Sequence, residues 1–323
     1  MTILVVGDAN ADLSAALTRF PSEGDDWPIT ALHWGSGGSA ANVAAGLARL
    51  GAPARLLVRV GVDPAAEVAL RVARAAGVDL ALVQCDDAVA TGLCFAAISA
   101  NGERTFFSFR GANIGLASPA AAPLLNVTWL HISAHALLAG AQRTTALALI
   151  EDAIRRAIPV SLDLCLPLLR DRRAEMLELL PRLQILFANE QEFAALLPDL
   201  SRTDALVQVA AARGGLIVLK RGAAGCEIAA GEQRWSQPGF VVAAIDSNGC
   251  GDAFVAGFIH AYTQGALPED CATLANALGA LTATRAGSAD ALPHYAELSA
   301  LLSEQLDVRA AERLVALLGP SLR

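Results

Sequence analysis

The heptapeptide Asp246-Ser247-Asn248-Gly249-Cys250-Gly251-Asp252 joins an apolar run over 240–245, read as a strand, to a helical run that begins near Asp252. Two glycines separated by one small residue let consecutive backbone N–H groups turn inward. The helix adds its positive N-terminal end, so the turn can hold an anion such as a phosphate. A carboxylate repels anions, and Asp252 directly after such a turn needs a reason; taking a proton from an attacking hydroxyl is one. Anion hole plus base describes phosphoryl transfer to an alcohol. The competing reading is that Asp252 merely caps the helix and the glycines merely turn the chain. A second glycine-rich element, Gly35-Ser36-Gly37-Gly38-Ser39-Ala40-Ala41-Asn42, opens a small-residue helix over 43–51 and weighs toward chemistry.

Together the two elements resemble the signatures of the ribokinase-like carbohydrate kinases, the phosphofructokinase B group. The Gly-Gly-x-x-x-Asn element reads Gly37-Gly38-Ser39-Ala40-Ala41-Asn42, and the late Asp-Thr-x-Gly-Ala-Gly-Asp element reads 246–252. Shorter matches keep the family's order: Gly7-Asp8-Ala9-Asn10-Ala11-Asp12, Gly61-Val62-Asp63, and Thr91-Gly92 opening a hairpin turned by Asn101-Gly102-Glu103-Arg104. Arg110-Gly111-Ala112-Asn113, Asn189-Glu190-Gln191-Glu192 and Gly222-Ala223-Ala224-Gly225 follow, and the likeness covers roughly residues 2 to 300.

The resemblance implies roles. Asp252 would be the catalytic base, with the N–H groups of Gly249, Cys250, Gly251 and Asp252 stabilising the transferring phosphoryl group. Asn10, Asp12, Gly38 and Asn42 would grip a sugar. Asn189 and Glu192 would organise hydrated Mg²⁺ beside ATP, Lys220, Gly222 and Gly225 would lie along the nucleotide, and Asn276 would border the adenine. Many members bind a monovalent cation such as K⁺, here expected near Asp246, Ser247 and Ala286. Cys250 and Asn248 depart from the usual Ala and Thr, a change that backbone donors tolerate. Ser161-Leu162-Asp163-Leu164-Cys165-Leu166-Pro167 lacks the Asn and Arg of an Asp-x-Asn-x-Arg motif, so nothing supports a sugar-acid substrate.

Apolar runs at 3–6, 55–60, 129–133, 160–163, 185–188, 216–219 and 240–245 read as strands. They alternate with helical spacing at 65–76, 144–157, 174–180 and 201–213. Such alternation predicts a parallel sheet covered on both faces, with ligands beyond the strand carboxyl ends. Segments of about 12–34 and 90–110 carry period-two patterns instead and predict a small β lid over the acceptor site. The expected fold is α/β: a ribokinase-like three-layer sandwich with a central, mostly parallel sheet and that lid, in a single domain over 1–323. A homodimer through the lid is a further expectation. The tail over 306–323 has the spacing of an amphipathic helix and is assigned no function.

Of 323 residues, 54% are apolar, the net charge is −8, and no Lys or Arg run exists, which excludes an electrostatic footprint for nucleic acid. Lys220 is the only lysine, and neither its upstream spacing nor Arg221 after it matches a P-loop. Six scattered cysteines and the absence of a signal-like or membrane-spanning stretch predict a cytoplasmic protein. Acceptor identity stays open between ribose- or fructose-like sugars and nucleosides, on whose base Phe95, Phe107 or Phe109 could stack. Two other classes remain alternatives. Gly35-Ser36-Gly37-Gly38-Ser39-Ala40 also fits a dinucleotide fingerprint, implying an NAD(P)-dependent oxidoreductase, although it does not follow the first strand. A non-catalytic sugar-binding regulator would be expected to lose the base or the anion hole, and both are present. His131 and His135 lack a third ligand and read as packing residues.

Overall fold

The computed structural model describes residues 2–100, 103–120, 122–198, 206, 210 and 215–318. The chain enters through β1 (Thr2–Val6) and then leaves for the lid with β2 (Asn10–Ala16) and β3 (Ala31–Gly37). It returns through α1 (Ser39–Arg49), β4 (Ala54–Leu57), the short β5 (Arg59–Gly61) and α2 (Pro64–Ala75). After β6 (Gln84–Asp86), which pairs with β5, the lid is completed by β7 (Gly92–Ile98) and β8 (Arg104–Phe109). Alternation follows: β9 (Val127–Ser133), α3 (Gly140–Arg155), β10 (Val160–Asp163), α4 (Leu166–Leu179), β11 (Ile185–Asn189), α5 (Glu190–Leu196) and β12 (Leu216–Lys220). The chain then forms β13 (Cys226–Ala230), β14 (Gln233–Gln237) and the helices α6 (Cys250–Thr263), α7 (Pro268–Ala283), α8 (Tyr295–Gln305) and α9 (Val308–Leu317).

The main sheet has the order β14-β13-β12-β11-β10-β9-β1-β4, parallel from β12 to β4 and antiparallel at the β13 and β14 edge. Its central strands β1, β11 and β12 are almost wholly apolar because both faces are covered, whereas the edge strand β14 is polar. Ile3 and Val5 of β1 enter one core with Val43, Phe258 and Leu274 of α1, α6 and α7. Leu4 and Val6 enter the other with Ile150, Leu168 and Phe193 of α3, α4 and α5. The same division separates Ile185 and Phe187 from Leu186 and Ala188 on β11, giving three layers.

Three sequence expectations change. The run over 55–60 divides into β4, in the main sheet, and β5, paired with β6. The run over 240–245 forms no strand: β13 and β14 already complete that edge of the sheet, and the segment binds elsewhere. The backbone N–H groups of Ile245 and Asp246 donate to Ala283 O, and Gln305 holds the backbone of Val241, a residue that is 85% exposed. The apolar run is the wall of a cavity. The helix expected to start near Asp252 starts at Cys250. The turn at Asn101-Gly102 and most of the helix expected over 201–213 lie outside the described residues.

The lid is a four-stranded sheet of order β3-β2-β7-β8, in which β2 and β7 run parallel. Alternation gives it two unlike faces. Asp12, His33, Cys94, Arg104 and Phe106 line a cavity of about 100 Å³ shared with Asp246, Asn248 and Gly287. The opposite face carries Leu32, Trp34, Phe107 and Phe109, all exposed.

Candidate active site

Asp252 sits in the first turn of α6 but does not cap it. Its Oδ1 accepts from Ser39 Oγ at 2.7 Å and its Oδ2 from Asn42 Nδ2 at 2.7 Å, both from α1. Asn42 Nδ2 also donates to Ser288 Oγ at 2.6 Å. The two glycine-rich elements, remote in sequence, therefore meet through one carboxylate. Burial pushes Asp252 up to about 6, against the opposing hydrogen bonds of Asn42 and Ser39. The turn before it requires Gly249: φ is 74°, and a Cβ there would stand 2.8 Å from Ser288 Oγ. As in any helix, the first N–H groups lack intrahelical acceptors and present a partial positive charge.

On the acceptor side, Asp12 is packed so closely on β3 that a Cβ at Gly37 would lie 2.1 Å from its Oδ1. Burial first, then the charge of Asp252, pushes Asp12 up to about 7, while Asn248 opposes by a hydrogen bond. Asn10 Oδ1 accepts from Asn113 Nδ2 at 2.9 Å, and Gly38 precedes α1, its carbonyl accepting from the Asn42 N–H at 2.9 Å. Asn10, Asp12, Gly38 and Asn42 are thus gathered at the strand and helix ends that also bring in Asp252.

The residues expected beside a nucleotide line a separate cavity of about 520 Å³: Lys220, Gly222, Gly225 and Asn276 share it with Ser247, Cys250 and Gly251 of the turn. Lys220 Nζ donates to Asp163 Oδ1 at 2.5 Å. Burial alone would lower the ammonium, but Asp163 and Glu192 outweigh it and hold it above its usual range. Glu192 is pushed up to about 7 by burial and by Asp163. Asn189 and Glu192 form a capping box on α5, with Asn189 Oδ1 accepting from the Glu192 N–H and Glu192 Oε2 from the Asn189 N–H, each at 2.8 Å. Asn276 spends its amide N–H groups on Gln237 O and Pro238 O and so holds the cavity wall. No group of three or more His, Cys, Asp or Glu that could hold a metal occurs among the described residues. A hydrated Mg²⁺ needs only one or two carboxylates besides phosphate oxygens, and Glu192 is the carboxylate the sequence points to for that role.

Several residues at the site receive no role from sequence. Ser39 and Ser288 flank Asp252 and Asn42; Asp163, at the end of β10, neutralises Lys220; and Asp8 pairs with Arg110, which Gln142 supports. Asp8, Arg110 and Asn113 lay inside quoted motifs, but their partnerships cross more than a hundred residues of chain. Phe107 and Phe109 face away from the cavity under the lid, and Phe95 packs against Phe107 with ring centroids 5.9 Å apart at a tilt of 38°, so none points at a nucleobase there; strand alternation puts Phe106 inside instead. His131 is a packing residue, bonded to Ser161 Oγ at 2.9 Å and pushed down to about 3 by burial. The dinucleotide-like glycines join lid strand β3 to α1 rather than the first main-sheet strand to a helix.

A three-layer α/β body, a lid, and a carboxylate at a helix N-terminus whose preceding turn borders two cavities form an arrangement suited to phosphoryl transfer. The pfkB family carbohydrate kinase model matches residues 2–295, and the chain belongs to that family. An ATP-dependent ribose-1-phosphate kinase of Halopiger xanaduensis is 32% identical over 307 residues, covering 94% of this chain and 99% of that protein. A fructokinase of Klebsiella pneumoniae is 31% identical over 284 residues, covering 81% and 90%. Arabidopsis thaliana ribokinase, solved with ribose and ATP, superposes with a TM-score of 0.81 at 23% identity, covering 94% of this chain and 98% of that one. The protein is a kinase with an alcohol acceptor, of the sugar or nucleoside class. No helix among the described residues is long and apolar enough to cross a membrane.

Proposed function

We propose that the protein transfers the γ-phosphoryl group of ATP to the hydroxymethyl group of a small ribose- or fructose-like sugar, with Asp252 as general base and the N–H groups of Gly249 to Asp252 as anion hole. One observation carries this reading: the Asp252 carboxylate, in the first turn of α6, is engaged by Ser39 and Asn42 of the acceptor element and not by its own helix. A group near 6 is ionised at neutral pH yet basic enough to accept a proton as the acceptor oxygen attacks. The acceptor O–H bond breaks toward Asp252, the new O–P bond forms, and the bond to the ADP oxygen breaks in line. Asn10, Asp12, Gly38 and Asn42 orient the sugar; the Asn42 Oδ1, buried without a protein partner among the described residues, is an acceptor suited to a sugar hydroxyl. Glu192, positioned by Asn189, would hold the hydrated Mg²⁺ that offsets phosphate charge. Lys220, Gly222, Gly225 and Asn276 bound the nucleotide.

Among the described residues the inner face of the lid offers Asp12, His33 and Arg104 but only Phe106 as a large apolar ring, which favours a polyol over a nucleoside. The exposed Leu32, Trp34, Phe107 and Phe109 on its outer face suit a second copy, since a sheet face can be self-complementary about a two-fold axis; Phe107→Asp should then give monomers in sedimentation. Six free thiols are consistent with a cytoplasmic setting. ADP formation measured against ribose, fructose, ribose 1-phosphate, other sugar phosphates and nucleosides tests the assignment. A nucleoside preferred over every sugar by kcat/KM would overturn the acceptor class.

A further inference from the structure

Asp246 opens the anion-binding turn, where the family likeness places a monovalent cation, yet its carboxylate is already filled. Oδ1 accepts from the Asn248 N–H at 2.7 Å and from Arg104 Nη1, and Oδ2 accepts from the Gly287 N–H at 3.0 Å. An ionised carboxylate offers about four lone-pair directions, so three are used. The Asp246 side chain is 7% exposed, leaving little room for another ligand. A full positive charge also stands there already, and a second cation would be repelled.

Arg104 belongs to the lid, on the face that lines the acceptor cavity, whereas Asp246 belongs to the body. Without a counter-charge, Asp246 would repel the phosphate that the neighbouring N–H groups are to hold. Its oxygens also fix Asn248 and Gly287, on either side of that turn. We infer that Arg104 is a built-in counter-ion that takes the place of K⁺ at the anion-binding turn, so that phosphoryl transfer needs no monovalent cation and the turn is held in shape by the lid. A guanidinium stays charged at every working pH and meets a carboxylate in a fixed plane. This inference rests on the kinase reading above.

Initial rates and melting temperatures of the wild type, Arg104→Ala and Arg104→Lys, measured at constant ionic strength in tetramethylammonium, Na⁺ and K⁺ chlorides, test it. The wild type should turn over equally in all three salts and gain no K⁺-specific thermal stability. Arg104→Ala should lose about tenfold or more in kcat with less change in the KM for ATP, the scale expected for a misplaced phosphoryl group. K⁺ should then restore part of that rate and raise the melting temperature above its value in Na⁺. Arg104→Lys, which keeps the charge, should lose less. A several-fold acceleration of the wild type by K⁺ over tetramethylammonium, or full activity of Arg104→Ala in every salt, overturns the inference. So does a slow Arg104→Ala that K⁺ cannot rescue, because the loss is then structural. If that variant does not fold, the wild-type salt series decides. Absence of turnover with every acceptor in every salt would count against the kinase reading instead.

Discussion

Replacing Asp252 by Asn separates chemistry from architecture. The carboxamide has nearly the same shape, and its N–H can meet the unpartnered Asn42 Oδ1 once Asn42 turns, so the α1–α6 contact should survive. Turnover should fall by roughly 10²–10⁴ or more, as expected when a general base is removed, while ATP binding changes little. Stability should move the other way. The Asp252 carboxyl is raised from 3.8 to about 6 in the folded protein, chiefly by burial. Folded wild type therefore binds more protons than the unfolded chain between those values and loses stability as pH rises through them. The loss is complete above about 6 and amounts to at most about 3 kcal/mol, the full separation between 3.8 and about 6. Asp252→Asn escapes that loss. Its urea midpoint relative to wild type should be higher at pH 8 than at pH 4, with single-turnover ADP formation and ATP titration measured alongside. Near-normal turnover would refute the base assignment, and a relative midpoint that does not change with pH would refute the account of a buried, destabilised carboxylate.

Other outcomes follow from the same geometry. The acid limb of kcat/KM against pH should fall through about 6 to 7, where Asp252 and Asp12 gain protons, and a limb near 4 would contradict the raised values. Gly37→Ala should push Asp12 aside, raising the acceptor KM while leaving the KM for ATP nearly unchanged; equal effects on both would show a wider disturbance. Lys220→Met leaves Asp163 buried without its counter-charge and should cost about 3–5 kcal/mol in denaturant unfolding. Cys250→Ala should keep close to wild-type kcat, because the turn is expected to act through backbone N–H groups; a large loss would assign the thiol a role.

Part of this was legible before any coordinates. Continuous apolar strands alternating with amphipathic helices specify a parallel sheet covered twice, and β1 with its four buried residues is a direct instance. Small residues around Gly37 and Gly249 mark places where backbone must approach closely, and their order along the chain was enough to identify the family. The run over 240–245 misled because hydrophobicity reports burial or contact without saying whether a neighbouring strand is present to take the backbone hydrogen bonds.

Sequence by itself determined which groups could do chemistry: a carboxylate after a glycine turn, a lone lysine, an Asn-x-x-Glu pair. Only the tertiary structure decided which of them meet. Asp252 and Asn42 are separated by 210 positions, Arg104 and Asp246 by 142, and Lys220 and Asp163 by 57. Nothing local encodes such partnerships. They arise because packing helices on both faces of one twisted sheet gathers the carboxyl ends of its strands, with the helix and lid termini beside them, at a single edge, where charges remote in sequence must neutralise one another or leave a buried carboxylate unpaired.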